Sequence, residues 1–257
     1  MRVDWSQKVV FITGASSGIG HALAVELGRR GARLGLLARR AEVLREIVTE
    51  VEAVGGHALA LPADVKDAEA VKVASDQLRE RFGRIDVLIA NAGIGATTDA
   101  SKLRASEVAD VINVNVLGAA NSVTAVVPEM IARGQGHLVA ISSLAAYRGL
   151  PKSGAYCASK AAVSAFFESL RLDLRGTGVI VTIIHPGFIK TQLTAGRHAQ
   201  MPFLMELDDA TRKIVRAIES RRKSYAFPWQ LASIVRLGMI LPNSLYDRIA
   251  IKNSFRE

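Results

Sequence analysis

Val9-Val10-Phe11-Ile12-Thr13-Gly14-Ala15-Ser16-Ser17-Gly18-Ile19-Gly20 decides the fold. The first four residues are short, β-rich and uniformly apolar, the pattern of a strand buried on both faces. Residues 19–30 carry a helical pattern and stop at Gly31. Between them stand three glycines, Gly14, Gly18 and Gly20. A strand that turns sharply into a helix over small residues leaves room for backbone to approach a phosphate. The helix start offers it unpaired N–H groups. Gly14, Ser16, Ser17, Gly18, Ile19 and Gly20 are therefore the candidates for holding the pyrophosphate of a dinucleotide.

The rest of the chain repeats that rhythm. Strands are expected over 34–38, 57–61, 86–90, 137–141 and 179–184, with a further one over 223–227. Helices are expected over 41–54, 68–82, 106–133 with an irregularity at Pro128, 155–175, 208–222 and 229–241. Alternation of apolar strands with helices predicts one α/β domain over 1–257. It is a Rossmann-like, doubly wound parallel sheet of about seven strands with helices on both faces. After Pro186 the rhythm loosens. Residues 187–207 read as a substrate lid, and 228–257 as an apolar and basic extension whose polar stripe is Gln230, Ser233 and Arg236.

A site for a dinucleotide with a free ribose 2′-hydroxyl usually has a carboxylate after the second strand. Here that place reads Ala38-Arg39-Arg40. Guanidinium groups suit a phosphate, so the expected cofactor is NADP(H) rather than NAD(H), with Arg39 ahead of Arg40. Asp64-Val65 follows the third strand, where an adenine edge could be held. Asp64 could equally cap the next helix.

Tyr156 and Lys160 are four residues apart, on one face of the 155–175 helix. An ammonium beside a phenol favours the phenolate, giving a proton donor and acceptor usable near neutral pH. Ser143 lies 13 residues before that tyrosine. With a dinucleotide site upstream, this pair points to a carbonyl or alcohol exchanging hydride with a nicotinamide.

Together these residues resemble the short-chain dehydrogenase/reductase family, from about residue 8 to 191. Residues 13–20 match its cofactor turn. Ala90-Asn91-Ala92-Gly93 matches its Asn-Ala-Gly motif, with Ala90 where a further asparagine is usual. Tyr156-Cys157-Ala158-Ser159-Lys160 matches its active-site motif, and Pro186-Gly187 with Thr191 the segment bordering the nicotinamide. The resemblance implies Tyr156 as general acid/base and Ser143 as hydrogen-bond donor to the substrate oxygen. It makes Lys160 the partner of both tyrosine and nicotinamide ribose, and Asn115 the support of a proton-supplying water chain. Asn91, Ala92, Gly93, Pro186, Gly187 and Thr191 join the cofactor contacts. A homodimer or homotetramer through the two long helices is implied as well. The chain's ending is more like the branch related to 11β-hydroxysteroid dehydrogenase and broad carbonyl reductases. The substrate expected is a small apolar carbonyl or alcohol: a lipid, steroid, aromatic ketone or aldehyde. The contrasting expectation is a dinucleotide-binding sensor or scaffold without turnover.

Composition narrows the classes further. Thirty-three Lys and Arg against 24 Asp and Glu give +9, yet no basic run is interleaved with aromatics, so nucleic acid is not an expected partner. Residues 190–257 hold twelve of the cations and six of the anions. That leaves lid, subunit contact or peripheral contact of 228–257 with an anionic membrane as readings of the tail. Cys157 is the sole cysteine, which precludes an internal disulfide and fits a reducing, cytoplasmic setting. The N-terminus lacks an apolar signal segment. No uncharged run is expected to reach the about 18 residues of a membrane-spanning helix. His21 is read as packing, without an acidic partner. His185 is read either as facing the site or as making a structural hydrogen bond. No metal-ligand spacing is found.

Overall fold

A computed structural model describes residues 3–195 and 201–252. Seven parallel strands form one sheet in the order β3-β2-β1-β4-β5-β6-β7. They are β1 (Val9–Thr13), β2 (Arg33–Ala38), β3 (His57–Pro62), β4 (Val87–Ala90), β5 (Gly136–Ile141), β6 (Val179–Pro186) and β7 (Ser224–Phe227). The seven-stranded α/β reading of the sequence holds. The last part of the tail adds a helix that the sequence reading left without an element.

Strand β1 shows why its run is apolar throughout. Successive side chains of a strand point to opposite faces. Val10 and Ile12 enter one core, with Leu23 and Leu27 of α1 (Gly18–Arg29), Leu44 and Ile47 of α2 (Ala41–Ala53) and Ile214 of α8 (Leu207–Glu219). Val9 and Phe11 enter the other core. It is filled by Val71 and Leu78 of α3 (Ala68–Phe82), Val123 of α5 (Gly118–Thr124) and Phe167 of α7 (Gly154–Asp173). Both faces are covered, so neither can be polar. Turns and caps match the local chemistry. Gly31 and Gly55 take positive φ just past α1 and α2, and Asp67 caps α3 by accepting from the Ala70 N–H at 3.0 Å. Asp208 and Asp209 lie in the first turn of α8, where the helix dipole favours acids.

The expected single helix over 106–133 is corrected. It is divided into α4 (Ala105–Ile112), a π-turn (Asn113–Leu117), α5 and, after a break at Ala125 and Val126, α6 (Val127–Ala132). Pro128 sits in the first turn of α6, where it needs no N–H partner. Residues 111–128 do run eighteen positions without a formal charge, contrary to the sequence reading. The whole segment Ala105–Ala132 is long and apolar enough to cross a membrane by composition. In this fold its segments pack on the second core, where Ala119, Val123, Val126 and Met130 are buried.

Two helices end the described chain: α9 (Trp229–Ile240) and α10 (Asn243–Lys252). Only Leu231 and Ala232 of α9 are buried; Trp229 is 73% and Ile240 78% exposed.

Candidate active site

The strand order reverses between β1 and β4, and ligands of such sheets bind beyond the carboxyl ends of the strands there. A cavity of about 970 Å³ opens at that place. It runs from the glycine-rich turn to the apolar tail.

The turn end is built by close backbone approach. Gly14 has φ +67°, and a Cβ there would come within 2.6 Å of the Ala92 Cα. Asn91 staples the turn to β4: its amide nitrogen donates to the carbonyls of Thr13 (3.0 Å) and Gly14 (3.1 Å). Ser17 occupies the N-cap position of α1 without a side-chain cap bond, which leaves the leading N–H groups of α1 for a ligand. Gly14, Ser16, Ser17, Gly18 and Ile19 all line the cavity. Gly20 does not. Its Cα faces the turn itself, and a Cβ would meet the Gly14 oxygen at 2.3 Å and Asn91 Nδ2 at 2.6 Å. It is a spacer that lets α1 and the turn close up.

Arg39 and Arg40 both line the cavity. Arg40 is already engaged, donating from Nη2 to the Ser16 carbonyl (2.9 Å) and Oγ (3.0 Å). Arg39 is exposed and makes no hydrogen bond or ion pair among the described residues. Asp64 and Val65 line the same region. Asp64 is not the cap of α3, which is Asp67; its Oδ1 accepts from the Lys66 N–H at 3.0 Å in a local turn. Val65 packs over Gly118, and its carbonyl accepts from Asn121 Nδ2 at 2.9 Å. Unpaired N–H groups, a glycine cradle and a free guanidinium form a donor set suited to the phosphates of a dinucleotide.

The chemical end gathers Ser143, Tyr156 and Lys160 along one wall. Helix α7 carries the last two one turn apart, with Lys160 Nζ 5.9 Å from the Tyr156 ring centroid. Lys160 is 5% exposed, and its Nζ donates to the Ile141 carbonyl at 2.8 Å. Burial lowers its pKa from 10.5 to about 8. Ser143 ends the loop out of β5, where its Oγ accepts from the Ala145 N–H at 3.1 Å and reaches toward the Pro186 carbonyl at 3.5 Å. Ala92, Gly93, Pro186, Gly187 and Thr191 line the remaining walls. A Cβ on Gly93 would stand 3.3 Å from both Lys160 Nζ and Asn115 Oδ1. Gly187 likewise admits Leu231.

Asn115 is 1% exposed and does not line the cavity. The π-turn aims it at the loop after β4, where its amide bonds both backbone groups of Ile94: Oδ1 accepts from the N–H at 2.7 Å and Nδ2 donates to the carbonyl at 3.0 Å. Nδ2 also donates to Ser159 Oγ (2.9 Å), which in turn donates to the Tyr156 carbonyl (2.8 Å). π-Turns inside α-helices recur at functional sites.

Sequence reasoning missed two serines. Ser159 lies inside the Tyr156-to-Lys160 motif, a signal that was present. Ser142 donates to the Lys160 carbonyl at 3.0 Å and lies 2.7 Å from Ser164 Oγ; its only signal was adjacency to Ser143. One histidine reading changes, and for His185 the structural alternative is the one the fold favours. His21 does have an acidic partner, Glu50 Oε2 at 2.7 Å, across the neighbouring helices α1 and α2. His185 is buried behind the Ser143 loop against Tyr147 and does not line the cavity; burial lowers its pKa to about 4. No group of three or more His, Cys, Asp or Glu side chains converges among the described residues.

A doubly wound parallel sheet with a dinucleotide cradle beside a Tyr–Lys pair defines a nucleotide-dependent oxidoreductase. The comparisons agree: the short chain dehydrogenase family model matches residues 8–202. The chain belongs to that family. An uncharacterized oxidoreductase of Myxococcus xanthus is 45% identical over 247 residues, covering 96% of this chain and 98% of the relative. Among solved structures, a short chain dehydrogenase/reductase from Burkholderia phymatum in complex with NAD superimposes with a TM-score of 0.85 at 26% identity, covering 99% of this chain and 98% of that one. A metagenomic short-chain oxidoreductase in complex with NADP does so with a TM-score of 0.74 at 31% identity, covering 88% and 97%.

Proposed function

We propose that the protein is an NADP(H)-dependent carbonyl reductase/alcohol dehydrogenase acting on an apolar substrate. The observation that carries this reading is the placing of Ser143, Tyr156 and Lys160 on one cavity wall, with Arg39 unpaired at the other end. The chain's own groups divide the work. Gly14 and the opening of α1 would cradle the pyrophosphate, and Arg39 would pair with the 2′-phosphate. When bound, the dinucleotide supplies or accepts the hydride.

Ser143 Oγ hydrogen-bonds the carbonyl oxygen of the substrate and follows the negative charge that grows there. Tyr156 gives its phenolic proton to that oxygen in reduction and takes it back in oxidation. The Lys160 charge stabilises the phenolate left behind. Asn115 holds the Ile94 loop and, through Ser159, the backbone of Tyr156, so the phenol keeps its aim. Phe188, Leu231, Val235 and Leu241 give the substrate end an apolar lining. Wild-type binding without turnover would favour the sensor alternative.

The test is Tyr156→Phe, assayed by NADPH oxidation against ketones, aldehydes, steroids and 3-oxo esters. Loss of a general acid/base should lower kcat by about 10²- to 10⁴-fold. NADPH affinity, read by titration, should stay near that of the wild type. Retained turnover would remove Tyr156 as the proton donor.

A further inference from the structure

The roof over the carbonyl end of the cavity comes from α9 and α10, and one side chain of the catalytic loop fastens it. Arg148 stands five residues after Ser143. Its Nη1 donates to the carbonyls of Gly238 and, at 3.0 Å, Leu241, where α9 ends. Its Nη2 donates to Asn243 Oδ1 at 2.7 Å, where α10 begins. The guanidinium carbon lies 3.8 Å from the centroid of the Tyr246 ring, and the Tyr246 hydroxyl donates back to the Gly149 carbonyl at 2.5 Å.

These contacts suit arginine for definite reasons. The Gly238 carbonyl lies in the last turn of α9, at the negative end of the dipole, and its long 3.4 Å bond from the Leu241 N–H leaves a lone pair for a donating cation. A planar fork can do this while its face rests on an aromatic ring; an ammonium has no such face.

Burial does little to seat this hairpin. Leu231 and Ala232 are the buried residues of α9, whereas Ile234, Leu237 and Ile240 are exposed. Yet Leu231, Ile234, Val235, Leu241, Tyr246 and Ile249 line the cavity. The roof is thus an apolar surface held down from one side by polar contacts that converge on Arg148. The same contacts occupy the guanidinium. Among the described residues that line the substrate end, Arg148 is the charged side chain besides Lys160, and its charge is turned into the roof rather than toward the ligand.

We infer that Arg148 is a specificity-determining positioning residue: it latches the α9–α10 hairpin across the carbonyl subsite and fixes the apolar volume offered to the substrate. The specificity half rests on the carbonyl reductase reading; the latch half does not.

The test compares full-length wild type, Arg148→Ala, Arg148→Lys and Tyr246→Phe. Hydrogen exchange reads the latch, and kinetics with butanone and benzophenone read specificity. In Arg148→Ala, amides of residues 229–252 should exchange about tenfold faster or more, while those of β1 and β5 keep their protection. Arg148→Lys should restore only part of that protection, and Tyr246→Phe, which keeps the ring, should fall nearer to wild type. The KM for benzophenone should rise about tenfold in Arg148→Ala, with the KM for butanone and the Kd for NADPH within about twofold. Unchanged exchange over 229–252 overturns the latch, whatever the kinetics show. Faster exchange with equal KM changes for both ketones overturns the specificity role. If the wild type reduces neither ketone, the specificity half falls for ketones of this size, and exchange alone still decides the latch. If Arg148→Ala does not fold, the comparison of Arg148→Lys with Tyr246→Phe decides it: equal, wild-type protection in both overturns it.

Discussion

Lys160 should leave a signature in the stability of the protein, separate from its part in turnover. Its ammonium is buried, and its pKa falls from 10.5 to about 8 because burial disfavours the charged form. Below pH 8 the amine is protonated in both folded and unfolded chains, and the folded state carries the full penalty. That drop corresponds to about 3 kcal/mol at pH 7. Between pH 8 and 10.5 the folded amine is neutral while the unfolded one still binds its proton, so the penalty shrinks as pH rises. At pH 9.5 about 1 kcal/mol should remain. Lys160→Met removes the titration while keeping a similar unbranched stem, and both proteins carry Tyr156→Phe so that the phenol coupled to Lys160 does not titrate. The stability difference between the two should therefore shift by about 2 kcal/mol in favour of the protein that keeps Lys160 from pH 7 to pH 9.5. The hydrogen bond from Nζ to the Ile141 carbonyl offsets part of the penalty at either pH without changing the direction. Urea unfolding of both proteins at the two pH values measures the difference directly. A gap that does not move with pH, or moves the other way, would refute the burial argument. Turnover should be lost in Lys160→Met alone at both.

Two further substitutions probe the cofactor end. Arg39→Ala should weaken NADPH by about 10- to 100-fold, the loss of one charge-assisted hydrogen-bonding partner, and leave NADH nearly unchanged; equal losses by titration would take Arg39 off the 2′-phosphate. Gly20→Ala would place a Cβ 2.3 Å from the Gly14 oxygen, so the turn must move. It should destabilise by about 1–3 kcal/mol and weaken either dinucleotide, although Gly20 does not line the cavity; a variant that melts and binds like the wild type would show that the close approach is not a constraint.

The parallel sheet was legible because it is buried on both faces. A strand such as Val9–Thr13 has no solvent side, so apolar runs alternate with helices and leave few other folds open. The Tyr156–Lys160 pair was legible because helical spacing alone puts both on one face. What escaped depends on neighbours distant in sequence. The π-turn at Asn113–Leu117 follows from Asn115 finding Ile94 and Ser159, partners that no local pattern announces. Gly20 looks like Gly14 and Gly18 in the sequence; only the backbone opposite it shows how closely α1 and the turn approach there. His21 meets Glu50 because α1 and α2 lie side by side, and Arg148 is an arginine in a loop until the tail folds over it.

The small polar residues of α7 make sense in the same terms. A helix packed against a sheet would ordinarily gain by presenting apolar side chains there, as Val163 and Phe167 do. Near the cavity it presents Ser159 and Ser164 instead. Ser159 donates to the carbonyl of Tyr156, while Ser142 and Ser164 both donate to the carbonyl of Lys160. Tyr156 and Lys160 thus each have their backbone oxygen held, one through Asn115 and the loop after β4, the other through the end of β5. Serine-to-carbonyl bonds of this kind add little to helix stability and slightly disfavour a helix interior. Their value lies in fixing α7 along its axis and about it. That matters most where a phenol must meet a carbonyl oxygen within hydrogen-bond reach, since a misplacement of an ångström costs rate far more than it costs stability. The first turns of α7 give up apolar burial for a fixed Tyr156 and Lys160, and the remainder of the helix, buried through Phe167, restores the packing.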